Sequence, residues 1–269
     1  MKQRFAPLAA GLLVAISGSA SRAAITNLWT FEEGSGSTSA NIVASSSTGD
    51  VSISLDATGG LGAGGSVWAV DGTRGSVISF NGNDSTGAYA TAASAMPQAE
   101  VNGTFTWAFW VNLTASGTGG NDVVFGNRFG GPSGRWSKFT PSNFEWQANS
   151  GGNVNIPDMV RGVWEHHAIV KDGNNFTHYL NGSLSGATGN FSGTHTGDLP
   201  IGIGGDPGGG GERIAGFMDD VATFDEALNA TQIMNIMNGD FTEFGIPEPS
   251  TSILSLIAVT GLLARRRRR

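Results

Sequence analysis

The sequence predicts an all-β, two-sheet antiparallel jelly-roll sandwich with one short helix near its C-terminal end. Three observations carry that expectation. Short apolar runs alternate with a period of two residues, as strands with one buried face require. Glycine, 42 residues in all, joins Ser, Thr, Asn and Asp in the spacers between those runs. Only one stretch has helical spacing.

The elements follow in order. Val77 to Phe80 reads as a short strand running into the turn Asn81-Gly82-Asn83-Asp84. Thr104 to Asn112 places Phe105, Trp107, Phe109 and Val111 on one face, and Trp110 with Asn112 on the other. Asn143 to Ala148 puts Phe144 and Trp146 together. Trp164 to Lys171 and Phe176 to Leu180 flank Asp172-Gly173-Asn174-Asn175 and form a hairpin, the second strand stopping at Asn181-Gly182. Leu199 to Gly204 and Gly216 to Phe224 are further strands. Asn229 to Met237 is the one helix, with Asn229 as its N-cap.

Both ends have the composition of targeting segments. Lys2 and Arg4, an apolar stretch from Leu8 to Ile16 and small residues up to Ala23 form the pattern of a secretory signal peptide, 1–23. At the other end, 246–269, Pro247-Glu248-Pro249 precedes an apolar segment, Ile253 to Ala264, and five arginines from Arg265 and Arg266 to Arg269. Such an arginine block resists translocation behind an apolar segment. This tail resembles the PEP-CTERM sorting signal of Gram-negative bacteria, with sorting residues Pro247, Glu248, Pro249, Arg265 and Arg266. The resemblance implies an exosortase-type processing enzyme as partner. It also implies a transient inner-membrane stage before the protein reaches the cell surface or matrix.

The remaining domain, 24–245, carries seven basic residues outside the targeting segments, against 21 acidic residues upstream of Glu248. A charge near −14 disfavours nucleic acid and anionic membranes as partners. It suits neutral glycans or divalent cations, and it also keeps an exported chain soluble. The absence of cysteine excludes thiol nucleophiles and Cys-based metal sites.

The order of motifs resembles laminin-G-like, concanavalin A-like jelly-roll domains. Trp29-Thr30-Phe31-Glu32-Glu33-Gly34-Ser35-Gly36 matches their opening strand and turn. Gly75 to Gly82, Phe105 to Val111, Trp164 to Gly173, Tyr179 to Gly182 and Gly216 to Val221 match the later markers in sequence. The resemblance implies the fold far more than any function.

Enzymatic chemistry on this fold needs two carboxyls about 5 Å apart for a retaining glycoside hydrolase, or a His/Tyr/Arg cluster for a lyase. Glu32-Glu33, Asp219-Asp220 and Asp225-Glu226 are adjacent pairs, which regular strands point to opposite faces. His166 and His167 are separated for the same reason, with His166 as a structural hydrogen-bonding residue. His178 and His195 have no evident partners in the sequence. The expectation is therefore a non-catalytic module binding extracellular polysaccharide or a surface protein. A carbohydrate-active enzyme and a passive matrix component are the alternatives.

Two ligand classes have candidate residues. The resemblance implies a structural calcium, with Asp219 on the Phe217/Val221 face and Asp84 in the Asn81-to-Gly87 turn as ligands. Exposed aromatics stack on sugars. Trp136, in the loop Gly131 to Lys138, is the exposed candidate, while Trp110 either lines a binding sheet or packs under a second layer. Trp107 and Trp146 are assigned to the core.

Overall fold

The computed structural model describes residues 24–53, 59–96, 103–115, 122–126, 135–139, 144–148, 152–156, 159–190, 200–206 and 212–247. Across 135–139 the description is of backbone pairing. Residues 1–23, expected from the sequence to be a signal peptide, the tail beyond Pro247 and His195 lie outside these residues.

The described residues form sixteen strands, numbered in chain order, in two sheets of eight. The first sheet runs β14 (Ser183–Asn190), β13 (Asn175–Leu180), β12 (Glu165–Asp172), β7 (Phe105–Ala115), β16 (Ala215–Phe224), β5 (Gly75–Asn81) and β4 (Trp68–Asp71), with β1 (Ile25–Trp29) also pairing β16. The second runs β11 (Gly152–Ile156), β10 (Phe144–Ala148), β9 (Arg135–Phe139), β8 (Asp122–Gly126), β15 (Pro200–Ile203), β6 (Ala90–Ala95), β3 (Val51–Ile53) and β2 (Thr38–Ser39). These pairings are antiparallel, as the all-β expectation requires.

The core lies between the sheets and is built from the alternation seen in the sequence. Phe105, Trp107, Phe109 and Val111 of β7 are fully buried, as are Phe125, Phe144 and Phe80. Trp107 meets the edge of Phe125 with ring centroids 5.2 Å apart and of Trp146 at 6.5 Å. Such pairs add about 0.5–1.5 kcal/mol each beyond the area they bury.

The outer face of the first sheet is divided in two. One half is covered by α1 (Ala230–Met237), which buries Ile233 and Ile236 against Ala108, Ala168, Val170, Ala222 and Phe224. The Asn229 side chain accepts from Thr231 N–H and Gln232 N–H, and Gln232 returns the bond to Asn229 N–H. That reciprocal cap fixes where the helix starts. The turn Asn181-Gly182 has both residues in the left-handed region, at φ 48° and 76°, as a two-residue hairpin demands. A Cβ on Gly182 would stand 2.7 Å from Met234 Cε. The same glycine thus makes the turn and admits the helix.

The other half of that face, beyond Ala108 on β7, is not under α1. It is shaped by an irregularity in β16. Ala215 to Met218 pair with β5, whereas Val221 to Phe224 pair with β1. At the change of neighbour the register against β7 shifts by one residue between Asp219 and Ala222, a bulge, with Asp220 at φ 44°. The expectation of Asp219 and Val221 on one face is corrected here. Val221 joins the inter-sheet core, and Asp219 stays on the outer face opposite Trp110.

Candidate functional site

On the exposed half of the first sheet, register sets Asp219 beside Trp110, Trp110 beside His166, and Phe217 beside Asn112. Trp164 immediately precedes β12, and its ring lies 6.4 Å from that of Phe217. Trp110, Trp164 and Phe217 are all half-buried. Arg74, from the turn joining β4 to β5, lies over this group. Its guanidinium is 4.3 Å from the Trp110 ring centroid and 5.4 Å from that of Trp164.

Arg74 is held by the bulge. Its Nε donates to Asp219 Oδ2 at 2.6 Å, and its Nη2 donates to Asp220 Oδ2 at 2.5 Å. The bulge therefore turns two adjacent carboxylates toward one cation, where a regular strand would have separated them. That corrects the sequence expectation for this pair. Burial and the neighbouring Asp220 charge push the Asp219 carboxyl up, and Arg74 opposes them. Burial likewise raises Asp220, with Arg74 opposing and Glu32 adding to the rise. Asp71 Oδ1 accepts from the N–H groups of Thr73 and Arg74, which fixes the turn that launches the arginine. Burial raises the Asp71 carboxyl, but the Trp164 indole, these two N–H groups and the Arg74 charge outweigh it, and its pKa is lowered.

Beneath Arg74 the sheet carries an unusual set of polar atoms. Trp110 Nε1, Asn112 Oδ1, His166 Nδ1 and Asp219 Oδ1 are buried without a hydrogen-bond partner among the described residues. Buried polar groups are nearly always paired, so four on one face mark a place where the fold itself leaves bonds unmade. His166, expected to be a structural hydrogen-bonding residue, bonds Asn181 through its backbone, and its ring packs on Trp110 at 5.3 Å.

His167 points the other way, into the core between Phe109 and Phe144, so the two adjacent histidines are separated as the strand period requires. His178 does have partners, which the sequence did not reveal. His167 Nδ1 lies 2.9 Å from His178 Nε2, and His178 Nδ1 lies 2.8 Å from Ser185 Oγ. Glu165 Oε2 stands 3.6 Å from His167 Nε2. The order that satisfies each ring has Ser185 donating to His178, His178 to His167, and His167 facing Glu165. Burial lowers the pKa of His167 to about 3. Burial, with the His167 charge, lowers that of His178 to about 2. Both rings are neutral at pH 7.

The two calcium candidates are not brought together. Asp219 faces Arg74 at the start of β5. Asp84 follows the far end of that strand, and its Oδ1 accepts from Arg213 N–H at 3.1 Å. Seven residues of strand separate these ends, roughly 23 Å. Among the described residues no three His, Cys, Asp or Glu side chains converge as a metal site. Trp136 lies on strand β9, paired with Gln147 and Gly126, rather than in a loop; its side chain lies outside the described part. Of the residues expected from the sequence to form a sorting signal, Pro247 is exposed at the end of the described chain, and Glu248, Pro249, Arg265 and Arg266 lie beyond it. Among the described residues no helix is long and apolar enough to cross a membrane.

A cavity of about 390 Å³ adjoins Asp220. Leu28, Ile42, Phe241, Ile246 and Pro247 give it apolar walls, and Thr30, Glu32 and Asp220 give it a polar side.

Comparison with known proteins agrees with this architecture. Residues 81–234, more than half of the chain, match the family model described as the concanavalin A-like lectin/glucanases superfamily, laminin G type 3. The chain belongs to that superfamily. Among solved structures it is similar to domain 4 of AbnA, a GH43 extracellular arabinanase from Geobacillus stearothermophilus, in complex with arabinotriose. That match has 18% identity and a TM-score of 0.58, covering 80% of this chain and 99% of that one. It is also similar to the binding domain of Paraclostridial Mosquitocidal Protein 1, at 14% identity and TM-score 0.57, covering 80% of this chain and 52% of that one. A third likeness is to Trypanosoma rangeli sialidase in complex with the inhibitor DANA, at 13% identity and TM-score 0.54, covering 78% and 32%. The chain thus spans about half of the second and a third of the third. At these identities the likeness is one of fold. No curated protein matches the sequence with significance.

Proposed function

We propose that this chain is an exported, surface- or matrix-associated, non-catalytic module that binds extracellular polysaccharide through the Arg74 face of its first sheet. The observation that carries the reading is half-buried Trp164, packed beside Phe217 and under the Arg74 guanidinium, on the half of the outer sheet face that α1 leaves uncovered. Aromatic faces stack on the apolar faces of sugar rings, and nearby donors and acceptors take the hydroxyls. The solved domain in complex with arabinotriose supports this reading through shared fold.

The non-catalytic part of the proposal rests on how the carboxylates are used. Asp219 is 2% exposed and both bulge aspartates hold the Arg74 guanidinium, so their carboxyls serve as its anchors. The proposal retains a structural calcium as an accessory, tested by melting with and without chelator; an unchanged melt removes it. Export and exosortase sorting through Pro247 to Arg269 complete the reading.

The experiment is a polysaccharide pull-down and glycan array with the purified protein, followed by product analysis. Saturable, selective binding with no shortened product supports the proposal. Binding with turnover transfers the chain to the carbohydrate-active enzymes, and no binding to any glycan overturns it in favour of a passive matrix role.

A further inference from the structure

The cavity beside Asp220 is a built site with its own chemistry. β1 supplies Leu28, and the chain just beyond that strand supplies Thr30 and Glu32. Ile42 stands at the lip, and the segment after α1 closes the far side with Phe241, Ile246 and Pro247. Leu28 and Phe241 are buried, but Ile42 is 45% exposed. An apolar side chain left half in water at the mouth of a cavity is suited to a ligand that brings an apolar face.

The polar side has one sign. Glu32 makes no hydrogen bond or ion pair among the described residues, and its charge adds to the upward shift of the Asp220 carboxyl. Arg74 gives Asp220 one partner, on Oδ2, and its other partners are the rings outside the cavity and Asp219. Among the described residues no cationic side chain lines the cavity itself. The space thus offers a field of negative charge, a hydroxyl on Thr30, and an apolar wall.

We infer that this cavity takes a sugar unit bearing a free primary amine, the ammonium group facing Glu32 and Asp220 and the apolar face of the ring lying on Leu28, Ile42 and Phe241. The inference rests on the polysaccharide reading above for the class of ligand and adds the cationic group. The shared chemistry is a primary ammonium on a stem with an apolar face, which a lysine side chain also has. The volume, about 390 Å³, decides for the sugar: it falls in the range of small-molecule sites, and a slender alkyl stem would leave most of it unfilled. Arg74 contacts both Asp220 of the cavity and the Trp164 ring of the sheet face, so one polymer chain can meet both.

The test is calorimetric titration of the full chain with a glucosamine trisaccharide, its N-acetylated counterpart, and Nα-acetyl-lysine amide. The free-amine trisaccharide is expected to bind at least tenfold more tightly than the other two. Glu32→Gln, which removes charge from an exposed side chain with no partner to lose, should erase that preference while leaving the melting temperature unchanged. Phe241→Leu should weaken binding of the free-amine sugar as a second probe of the wall. Equal binding of the free and acetylated sugars overturns the inference, as does an unchanged preference in Glu32→Gln. Lysine amide binding as tightly as the trisaccharide overturns the choice of a sugar. If Trp164→Ala abolishes polysaccharide capture while Glu32→Gln changes nothing, the cavity inference fails and the sheet-face reading stands. If Glu32→Gln erases the amine preference and Trp164→Ala leaves capture intact, the cavity holds and the sheet-face reading fails.

Discussion

Arg74 Nε donates to Asp219 Oδ2 at 2.6 Å across 145 positions of sequence, with the side chains 14% and 3% exposed. This bond joins the turn before β5 to the bulge in β16, and the rest of the outer face is arranged around it.

Removing the cation should therefore be costly. Arg74→Met leaves Asp219 and Asp220 close together and uncompensated, which for a buried pair is expected to cost about 3–5 kcal/mol. Urea unfolding measures it. Adding Asp219→Asn to Arg74→Met should recover part of the loss, and a double variant as unstable as the sum of the two singles would contradict the coupling.

The two tryptophans of the face should separate by role. Trp164→Ala is expected to lower polysaccharide affinity tenfold or more, with a melting temperature within a few degrees of the parent. Trp110→Ala removes the ring between His166 and Arg74, and should destabilise by about 2–4 kcal/mol. Binding isotherms beside thermal melts check both, and Trp136→Ala serves as a parallel arm on β9.

Acid should unfold the protein early. Burial first, then the charges of His167, Arg74 and His178, lower His166 to about 3, and burial lowers His167 to about 3. Burial and His167 lower His178 to about 2. Each ring is neutral in the fold and titrates near 6.5 when unfolded. The stability they contribute is full above pH 6.5 and is lost as pH falls from there toward 3. Each ring gives up about 1.4 kcal/mol per pH unit well inside that window. The raised Asp219 and Asp220 carboxyls work in the opposite sense, gaining stability as pH falls, so melting temperatures should drop steeply only below about 6.5, where the three rings outweigh them. His178→Gln should flatten the descent; a parent curve level to pH 4 would refute the assignment.

Gly182→Ala should destabilise by about 1–2 kcal/mol, since φ 76° disfavours a side chain and the new methyl meets Met234. Pairing it with Met234→Ala should relieve the contact but not the backbone cost. Denaturant midpoints of the two variants measure the split.

Much of the fold was legible because it follows from alternation. Phe105, Trp107 and Phe109 fall on one face of β7 and build the core, and Asn229 caps the helix where its side-chain chemistry placed it. What the alternation does not reveal is of three kinds. Strand β6 is made of Ala, Thr and Ser, so no bulky alternation announces it, and β9 follows a glycine-rich run that reads as loop. The bulge at Asp219-Asp220 depends on β16 exchanging β5 for β1 as its neighbour, which is a property of tertiary pairing. The bond from His178 to His167 spans two strands whose register only the folded sheet fixes. The candidate site was legible through Trp110 and Asp219; Trp164 and Phe217 fall within the fold's sequence markers, which say nothing of binding, and Arg74 lies just outside them.

The exchange of neighbours along β16 also governs how the molecule can be made. Ala24 N donates to Asp225 Oδ1 across 201 positions, and β16 lies between β7 on one side and both β5 and β1 on the other. Three strands laid down early must wait for one synthesised late. Contacts so distant in sequence make for slow folding, and until they form the edges of β7, β5 and β1 stand open to pairing with other chains. The sandwich is a structure that its last strand locks, and before that strand arrives it is at its most vulnerable to aggregation.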